Sequence, residues 1–292
     1  MAATREGVLV TGITGQQGGA VADSLLRHGI KVVGLTRNAG KAAEWKRRGV
    51  ELVEGDLSDR KSLDRTLETV DKAYLVTTPF EKGMDAEVEM GCAFVDAARN
   101  ADIQHLVFSS VVSADRGTGI PHFETKGRIE AYLKKSGVPF TIFRPVFFMD
   151  NFLAPWILPG IRDGEVTLGI RADRRLQMIA VRDIGEFVAA AFRTSDWYLH
   201  QSIEIAGDEL TIPEALSVIS RVTKHDIRYE VLPEERLEST LGHDMALMYR
   251  WFNEVGYSVN IERLRKHWEI PLTNFHAFAS TASWLGSATK AA

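Results

Sequence analysis

Short apolar runs alternate with helically spaced apolar residues through the first half of the chain. The runs are typical of buried strands, and an apolar side chain every three or four residues is the period of an amphipathic helix. Strands that alternate with helices predict right-handed crossovers and a mainly parallel sheet that is covered on both faces. Strands are expected at residues 8–11, 31–36, 51–54, 73–76, 106–109 and 140–144, with helices at 20–28, 42–48, 63–70, 84–95 and 123–135.

The pattern changes after about residue 151, where prolines and glycines interrupt the helical spacing. Residues 211–214 form a capping box that should open a helix. The strands of this half are too few and too dispersed to bury a core of their own. We therefore expect an α/β fold with a doubly wound parallel Rossmann sheet over residues 1–151. Residues 152–292 are expected to form a small α/β cap, interleaved with the core, that contributes to a substrate pocket. Further elements are expected at 184–192, 202–205, 227–231, 245–252 and 261–268.

Composition excludes several classes of protein. Among 292 residues, 45% are hydrophobic and 25% charged, which is ordinary globular usage and excludes a disordered chain. A net charge of −4 and a pI near 6.1 give no support to nucleic-acid binding. We expect neither a transmembrane helix nor a signal peptide, and the single cysteine, Cys92, favours the reducing cytoplasm. The histidines lack metal-ligand spacing, so no metal is expected.

The most informative motif is a run of three glycines, Gly12, Gly15 and Gly18, placed between the first predicted strand and the first helix. Glycines at this point permit a tight turn and let the backbone approach a pyrophosphate, while the start of the helix presents free N–H groups. The spacing is G-x-x-G-x-x-G and differs from the common G-x-G-x-x-G fingerprint. Its position in a strand–turn–helix unit nevertheless predicts a dinucleotide site over a purely structural turn.

The end of the second strand indicates which dinucleotide is bound. A free ribose 2′-hydroxyl is usually bound by a carboxylate there, and this strand is followed by neither Asp nor Glu. Arg37 and Lys41 instead supply positive charge that suits a 2′-phosphate. We therefore expect NADP(H), with NAD(H) less favoured. The alternative is that both are solvated charges at the start of a surface helix.

Several motifs together resemble the NmrA-like branch of the atypical short-chain dehydrogenase/reductase superfamily. The resemblance runs from Val8 through a turn at residues 207–211, and weakly to about His267. The combination is specific to the family, although the glycine motif alone is not. The motifs are Val-Thr-Gly-Ile-Thr-Gly-Gln-Gln-Gly-Gly at 10–19, Leu-Thr-Arg-Asn at 35–38, Gly-Asp-Leu at 55–57, Val-Thr-Thr-Pro-Phe at 76–80, His-Phe-Glu-Thr-Lys at 122–126 and Arg-Pro-Val-Phe-Phe-Met-Asp-Asn at 144–151.

This resemblance implies a cofactor that lies across the carboxyl edge of the sheet, and it assigns residues to each part of that cofactor. Residues expected along the pyrophosphate are Gly12, Thr14, Gly15, Gln16, Gln17 and Gly18. The adenine is expected to lie beside Asp56 and Leu57, and the ribose and nicotinamide side beside Thr77, Thr78 and Pro79. Lys126 is expected to bind the nicotinamide ribose. The wall near the nicotinamide is expected to be Phe148, Met149, Asp150 and Asn151.

The expected catalytic pair is His122 and Lys126. Typical superfamily members carry Tyr-x-x-x-Lys on this helix, whereas this chain has His-x-x-x-Lys, which keeps both side chains on one helical face. Histidine can act as a general acid near neutral pH. The alternative is that the pair forms a simple polar stripe with Glu130, four residues further on. Which serine after the fifth strand faces a substrate is left open among Ser109, Ser110 and Ser113.

Two functions from different classes follow. The first is an NADPH-dependent reductase of a small carbonyl, quinone or activated alkene, so the partner would be a small-molecule substrate. The second is a non-catalytic NADP(H) sensor that acts through a regulatory protein partner, since the usual tyrosine is absent. The family resemblance implies relatives of both kinds, and the enzyme is slightly favoured because quinone or alkene reduction can take its proton from water. The oligomeric state is left open.

Overall fold

The computed structural model describes residues 5–284, and its elements follow the predicted alternation of strands and helices. No helix in this range has the length and apolar character that crossing a membrane requires. Nor does the range contain three or more His, Cys, Asp or Glu residues grouped as a metal site. The strands are β1 (Val8–Val10), β2 (Val32–Thr36), β3 (Glu51–Glu54), β4 (Lys72–Val76), β5 (His105–Ser109), β6 (Phe140–Pro145), β7 (Phe147–Phe148), β8 (Glu165–Leu168), β9 (Arg175–Ile179), β10 (Gln201–Ile205), β11 (Asp208–Thr211) and β12 (Arg228–Val231). The helices are α1 (Gln16–Arg27), α2 (Ala43–Arg47), α3 (Arg60–Leu67), α4 (Met84–Asn100), α5 (Pro121–Lys135), α6 (Leu158–Asp163), α7 (Val181–Arg193), α8 (Ser195–Tyr198), α9 (Ile212–Thr223), α10 (Glu234–Leu241), α11 (His243–Glu254), α12 (Ile261–Trp268) and α13 (Phe275–Thr281), with a 3₁₀ helix at Met149–Leu153.

A seven-stranded sheet organises the first of two compact units, which comprises the chain up to Pro145 together with Ile184–Glu204. Its strand order is β10-β6-β5-β4-β1-β2-β3, and the pairings among β1 to β6 are parallel. The predicted doubly wound α/β sheet is therefore confirmed. Chain order reverses between β1 and β4, and ligands of such sheets bind at the carboxyl ends of the strands beside this reversal.

The core of this unit lies between the sheet and the helices that connect its strands. Leu9, Leu75 and Phe108 are completely buried on central strands, and Phe94 and Ile129 are buried on the helices that cover them. Central strands of a parallel sheet are covered on both faces, which explains why they are continuous apolar runs. The loops at the carboxyl edge consequently extend from a rigid base.

The second unit comprises Val146–Asp183 and the described chain from Ile205 onward. It contains a three-stranded sheet, β11-β9-β7, and a two-stranded sheet, β12-β8. The predicted capping box at the start of α9 is confirmed, because Thr211 Oγ1 accepts from the Glu214 amide while the Glu214 carboxylate accepts from the Thr211 amide. The short strands β7, β8, β9 and β11 were not predicted, since runs of two to five residues leave little periodic pattern. Strand β11 occupies most of residues 207–211, where a turn was expected, and pairs antiparallel with β9.

Burial of His105 at the start of β5 predicts a specific pH dependence of stability. Its ring is 1% exposed, with Nε2 2.8 Å from Thr141 Oγ1 and Nδ1 3.2 Å from Ser195 Oγ. Burial, with a smaller contribution from Lys72, lowers the pKa of His105 to about 4. The unfolded chain takes up this proton near pH 6.5 and the folded chain only near pH 4, so stability falls as pH drops between those values.

We therefore expect the unfolding free energy to lose on the order of 2–3 kcal/mol from this residue alone between pH 6.5 and 4. Urea unfolding across this range should show a shallower pH dependence for His105→Gln, which keeps hydrogen-bonding groups, than for the wild type. His276→Gln, at an exposed position, is the control. Parallel pH profiles for wild type and His105→Gln would contradict the prediction.

Candidate functional site

The glycine loop joins β1 to α1 and leaves the first amides of the helix available to a ligand. Gly12 has φ +61, a left-handed conformation that permits the turn, and Gly15 is the extended N-cap of α1. The first bond of the helix runs from the Gly19 amide to the Gly15 carbonyl at 3.0 Å. The amides of residues 16–18 precede it, and a glycine N-cap has no side chain with which to bind them. This arrangement is suited to an anion.

Close packing fixes the residue type at position 18 of this segment, and hydrogen bonds to neighbouring strands hold Gln17. A Cβ on Gly18 would lie 2.2 Å from the Gly12 carbonyl oxygen, so only glycine fits there. The side-chain carbonyl of Gln17 accepts hydrogen bonds from Ser109 Oγ at 2.6 Å and from Tyr74 Oη at 3.3 Å. Gln17 therefore anchors the loop to the middle of β4 and the end of β5, whereas Gln16 is exposed.

A cavity of about 400 Å³ opens beside this loop at the carboxyl ends of β1 to β4. It lies at the reversal of strand order, where the fold predicts a ligand. Of the predicted cofactor residues, it brings together Gly12, Thr14, Arg37, Lys41, Asp56, Leu57, Thr77 and Thr78. Its other lining residues are Thr11, Leu35, Thr36, Asn38, Gly55, Val76, Glu81, Lys82 and Met90.

Arg37 forms a bidentate ion pair within the cavity lining. Its Nη1 lies 2.6 Å from Glu81 Oε2 and its Nη2 lies 3.0 Å from Glu81 Oε1. The hydrogen bonds and charge of this pair raise the pKa of Arg37 and lower that of Glu81, so both are ionised at neutral pH. The guanidinium predicted to bind a phosphate thus binds a carboxylate of the same chain, donated by the segment that follows β4.

A second ion pair crosses the same region. Asp56 accepts hydrogen bonds from the Ser58 amide at 2.8 Å and Ser58 Oγ at 2.6 Å, and Lys82 Nζ lies 3.2 Å from its Oδ1. Although partial burial opposes the effect, these bonds lower the pKa of Asp56 to about 2. Asp56 is therefore a fixed negative group at the end of β3, in the position predicted to border the adenine.

Lys126 lies in a buried ion pair. Its Nζ donates to Thr77 O at 2.6 Å and Thr77 Oγ1 at 2.9 Å, and it lies 2.8 Å from Oε1 of Glu87, which is completely buried on α4. Glu87 also accepts from the Thr77 and Thr125 hydroxyls. Burial lowers the pKa of Lys126, and Glu87 opposes that shift.

The other residues of the predicted polar stripe differ in their surroundings. Glu130 is 1% exposed and accepts from Arg144 Nε at 2.8 Å and from Arg144 Nη2 at 2.5 Å, so this face of α5 is not a solvated surface. His122 is half-buried, with its ring centroid 4.8 Å from that of Phe123 and 5.9 Å from that of Phe80.

The three serines at the end of β5 and in the loop after it are placed differently. Ser109 binds Gln17, and Ser113 adopts a left-handed backbone with φ +68. The Ser110 hydroxyl is buried and has no hydrogen-bond partner among the described residues. These contacts give Ser109 a role in holding the glycine loop, while a substrate contact by Ser110 stays a prediction.

Comparison with known proteins decides the family. The family model described as the NmrA-like family matches residues 4–279 of this chain. The chain belongs to the NmrA-like family.

Proteins similar to this NmrA-like protein include a reductase matched by sequence and two proteins matched by structure. It is 31% identical over 236 residues to (4-alkanoyl-5-oxo-2,5-dihydrofuran-3-yl)methyl phosphate reductase of Streptomyces griseus, and the match covers 80% of each chain. The NADPH-dependent quinone oxidoreductase QOR2 of Escherichia coli, in complex with NADPH, has a TM-score of 0.79 at 22% identity and covers 94% of this chain and 98% of its own. NmrA, a negative transcriptional regulator in complex with NADP, has a TM-score of 0.77 at 18% identity and covers 96% of both chains. The two structural similarities show the fold.

The predicted nicotinamide wall lies in the second unit of this NmrA-like protein. Phe148 ends β7, Met149 is completely buried, and Asp150 Oδ2 accepts from the Val181 amide at 2.8 Å. Burial raises the pKa of Asp150. The carbonyl of Asn151 accepts from the Ala154 amide at 3.0 Å. Contact of these four residues with a nicotinamide stays a prediction. So does the assignment of Pro79, whose carbonyl accepts from the Gly83 amide at 2.8 Å in the first unit.

Three charged residues of the site, Glu81, Lys82 and Glu87, were not predicted. A sequence signal existed for Glu87, because position 87 shares the buried face of α4 with Val88 and Val95, and a carboxylate on an apolar stripe requires a partner. Glu81 and Lys82 follow the family motif at 76–80 directly, but a loop has no periodicity to predict where its side chains lie.

Proposed function

We propose that this protein is an NADP(H)-dependent reductase that acts on a small carbonyl, quinone or activated alkene. The observation that carries the proposal is the glycine-capped start of α1 beside a cavity of about 400 Å³ that Arg37 and Lys41 line. Free helix amides suit a pyrophosphate, and the two cations suit a 2′-phosphate. The similarity to the Streptomyces reductase over four-fifths of the chain supports a redox activity.

The residues present fit NADP(H) at each end of the cavity. The amides of residues 16–18 would bind the pyrophosphate, and Arg37 would bind the 2′-phosphate through two parallel N–H groups. Asp56 and Leu57 would border the adenine. When bound, the nicotinamide ring would supply a hydride. This chain's residues would bind and orient the cofactor and, for carbonyl substrates, supply the proton.

Lys126 must exchange one hydrogen bond if it is to bind the nicotinamide ribose. An ammonium group has three N–H donors, and Thr77 O, Thr77 Oγ1 and Glu87 Oε1 provide three acceptors. The bond to Thr77 Oγ1 is the easiest to exchange, because that hydroxyl also donates to Glu87 and keeps this partner. In the proposed role Lys126 therefore turns from Thr77 to the ribose while its charge stays paired with Glu87.

His122 is proposed as the proton donor for carbonyl substrates. It occupies the position of the usual tyrosine, four residues before Lys126, and an imidazole ordinarily titrates near neutral pH. Quinone reduction can take its proton from water, so His122 is expected to matter mainly for carbonyl substrates.

The second candidate is an NADP(H) sensor that acts on a protein partner. Histidine in place of the tyrosine favours it, as does the fold similarity to NmrA, a negative transcriptional regulator whose structure contains NADP. Both candidates share the cofactor site and differ in turnover, so a turnover assay separates them.

The test is NADPH oxidation with a quinone and with an aromatic aldehyde as acceptors. We expect quinone turnover by the wild type. For His122→Ala we expect aldehyde reduction to fall about 100-fold in single turnover, quinone reduction to change little, and NADPH affinity to stay within about twofold. His276→Ala, at an exposed position, is the matched control.

NADPH binding without oxidation by any acceptor would favour the sensor. Aldehyde turnover that survives His122→Ala unchanged would show that His122 is not the proton donor.

A further inference from the structure

Two ion pairs join the segment of residues 79–83, between β4 and α4, to the ends of two neighbouring strands. The segment supplies the carboxylate in one pair and the ammonium in the other. Glu81 pairs with Arg37 after β2, while Lys82 pairs with Asp56 after β3 and also donates to Ser58 Oγ at 2.9 Å. Gly83 closes the segment with φ +93 and caps α4. The segment thus brings a carboxylate to the cavity at the end of β2, where the sequence alone shows none.

The geometry of the Arg37–Glu81 pair is that of a guanidinium bound to a doubly coordinated oxyanion. Two parallel bonds of 2.6 and 3.0 Å use the same fork that would bind a phosphate. Both side chains are about half exposed, at 58% and 52%, and exposed ion pairs contribute little to stability. The carboxylate can therefore leave the guanidinium at low cost when a stronger anion arrives.

We propose that Glu81 sets the choice between NADPH and NADH at this site. Its carboxylate competes with the 2′-phosphate of NADPH for Arg37, and it offers an acceptor to the free 2′-hydroxyl of NADH. Dinucleotide sites that accept NAD(H) usually place such a carboxylate at the end of the second strand. Here the β4–α4 segment supplies it, so one site serves both cofactors. This inference rests on the proposed NADP(H) function.

The test measures dissociation constants of NADPH and NADH by fluorescence titration of the full chain. In Glu81→Gln, the neutral amide competes less for Arg37 and repels the phosphate less. We expect NADPH to bind about 5–20-fold more tightly and NADH about 3–10-fold more weakly. Raising the salt concentration should reduce the gain for NADPH.

Two further variants complete the design. Glu51→Gln is the matched control. Glu51 Oε2 pairs with Lys31 Nζ at 3.2 Å, with exposures of 55% and 57%, and this pair lies at the amino ends of β2 and β3, at the edge of the sheet opposite the cavity. The substitution makes the same charge change, and we expect both affinities to stay within about twofold. Arg37→Ala should weaken NADPH binding at least about 10-fold and leave NADH within about threefold.

The outcomes separate this inference from the function on which it rests. If the wild type binds neither cofactor, the proposed function fails and the inference fails with it. If the wild type binds NADPH and Arg37→Ala weakens it, the cofactor assignment holds. An unchanged NADPH-to-NADH affinity ratio in Glu81→Gln would then overturn the role of Glu81 alone. An equal change of this affinity ratio in Glu51→Gln would also overturn the role of Glu81, because the effect would then come from the protein's net charge.

Discussion

Gly15→Val is expected to abolish NADPH binding while the protein remains folded. Gly15 is exposed at the N-cap of α1 with φ −94 and ψ 177, an extended conformation that any residue adopts. A Cβ there would have the Gly12 carbonyl oxygen, at 3.3 Å, as its near neighbour, which requires only a small adjustment. A branched side chain at this point would cover the amides of residues 16–18. We expect a loss of at least about 100-fold in affinity, or about 2.7 kcal/mol.

Gly18→Ala provides the contrast that makes the test specific. Its Cβ would lie 2.2 Å from the Gly12 carbonyl oxygen, so this smaller substitution should lower both stability and binding. Urea unfolding and NADPH titration are measured on both variants. NADPH binding by Gly15→Val within about threefold of the wild type would show that the loop is only a structural turn.

The loop could be placed from sequence because its chemistry is local. Three glycines between an apolar run and a helical pattern specify the turn, and the parallel sheet then brings the ends of β1 to β4 together. Strand β10 was placed in the cap and lies instead beside β6 in the main sheet. Pairing between strands almost sixty residues apart depends on tertiary contacts that no local pattern reports.

The ion pairs of the site could not be predicted for a related reason. Arg37 and Lys126 were identified by type and position, yet their partners, Glu81 and Glu87, lie 44 and 39 positions away, both on the crossover from β4 to β5. Spacing rules relate residues within one element, and they do not cover side chains that meet across parallel strands. The sequence therefore predicted that each cation is available to the cofactor. In the structure each cation already has a carboxylate partner, so cofactor binding at either residue requires an exchange of partners.

Lys126→Met is expected to cost about 3–5 kcal/mol of unfolding free energy, independently of any cofactor. Among the residues that the structure describes, it would leave the completely buried carboxylate of Glu87 with only the hydroxyls of Thr77 and Thr125 as partners. Lys134→Met is the matched control on the same helix, because that lysine is 38% exposed in its pair with Glu130. We expect a change of no more than about 1 kcal/mol for the control.

The double variant Lys126→Met/Glu87→Gln separates the role of the ion pair in folding from the role of Lys126 in binding. An amide at position 87 can still bond to the threonine hydroxyls without a buried charge, so most of the lost stability should return. With the fold restored, the ammonium is still absent, and NADPH affinity should remain about 10–100-fold below that of the wild type. Guanidinium unfolding at pH 7 and NADPH titration measure the two quantities. Full stability in the single variant would contradict the buried pair. Wild-type affinity in the double variant would instead remove Lys126 from the cofactor site and leave its ion pair with Glu87 as part of the core.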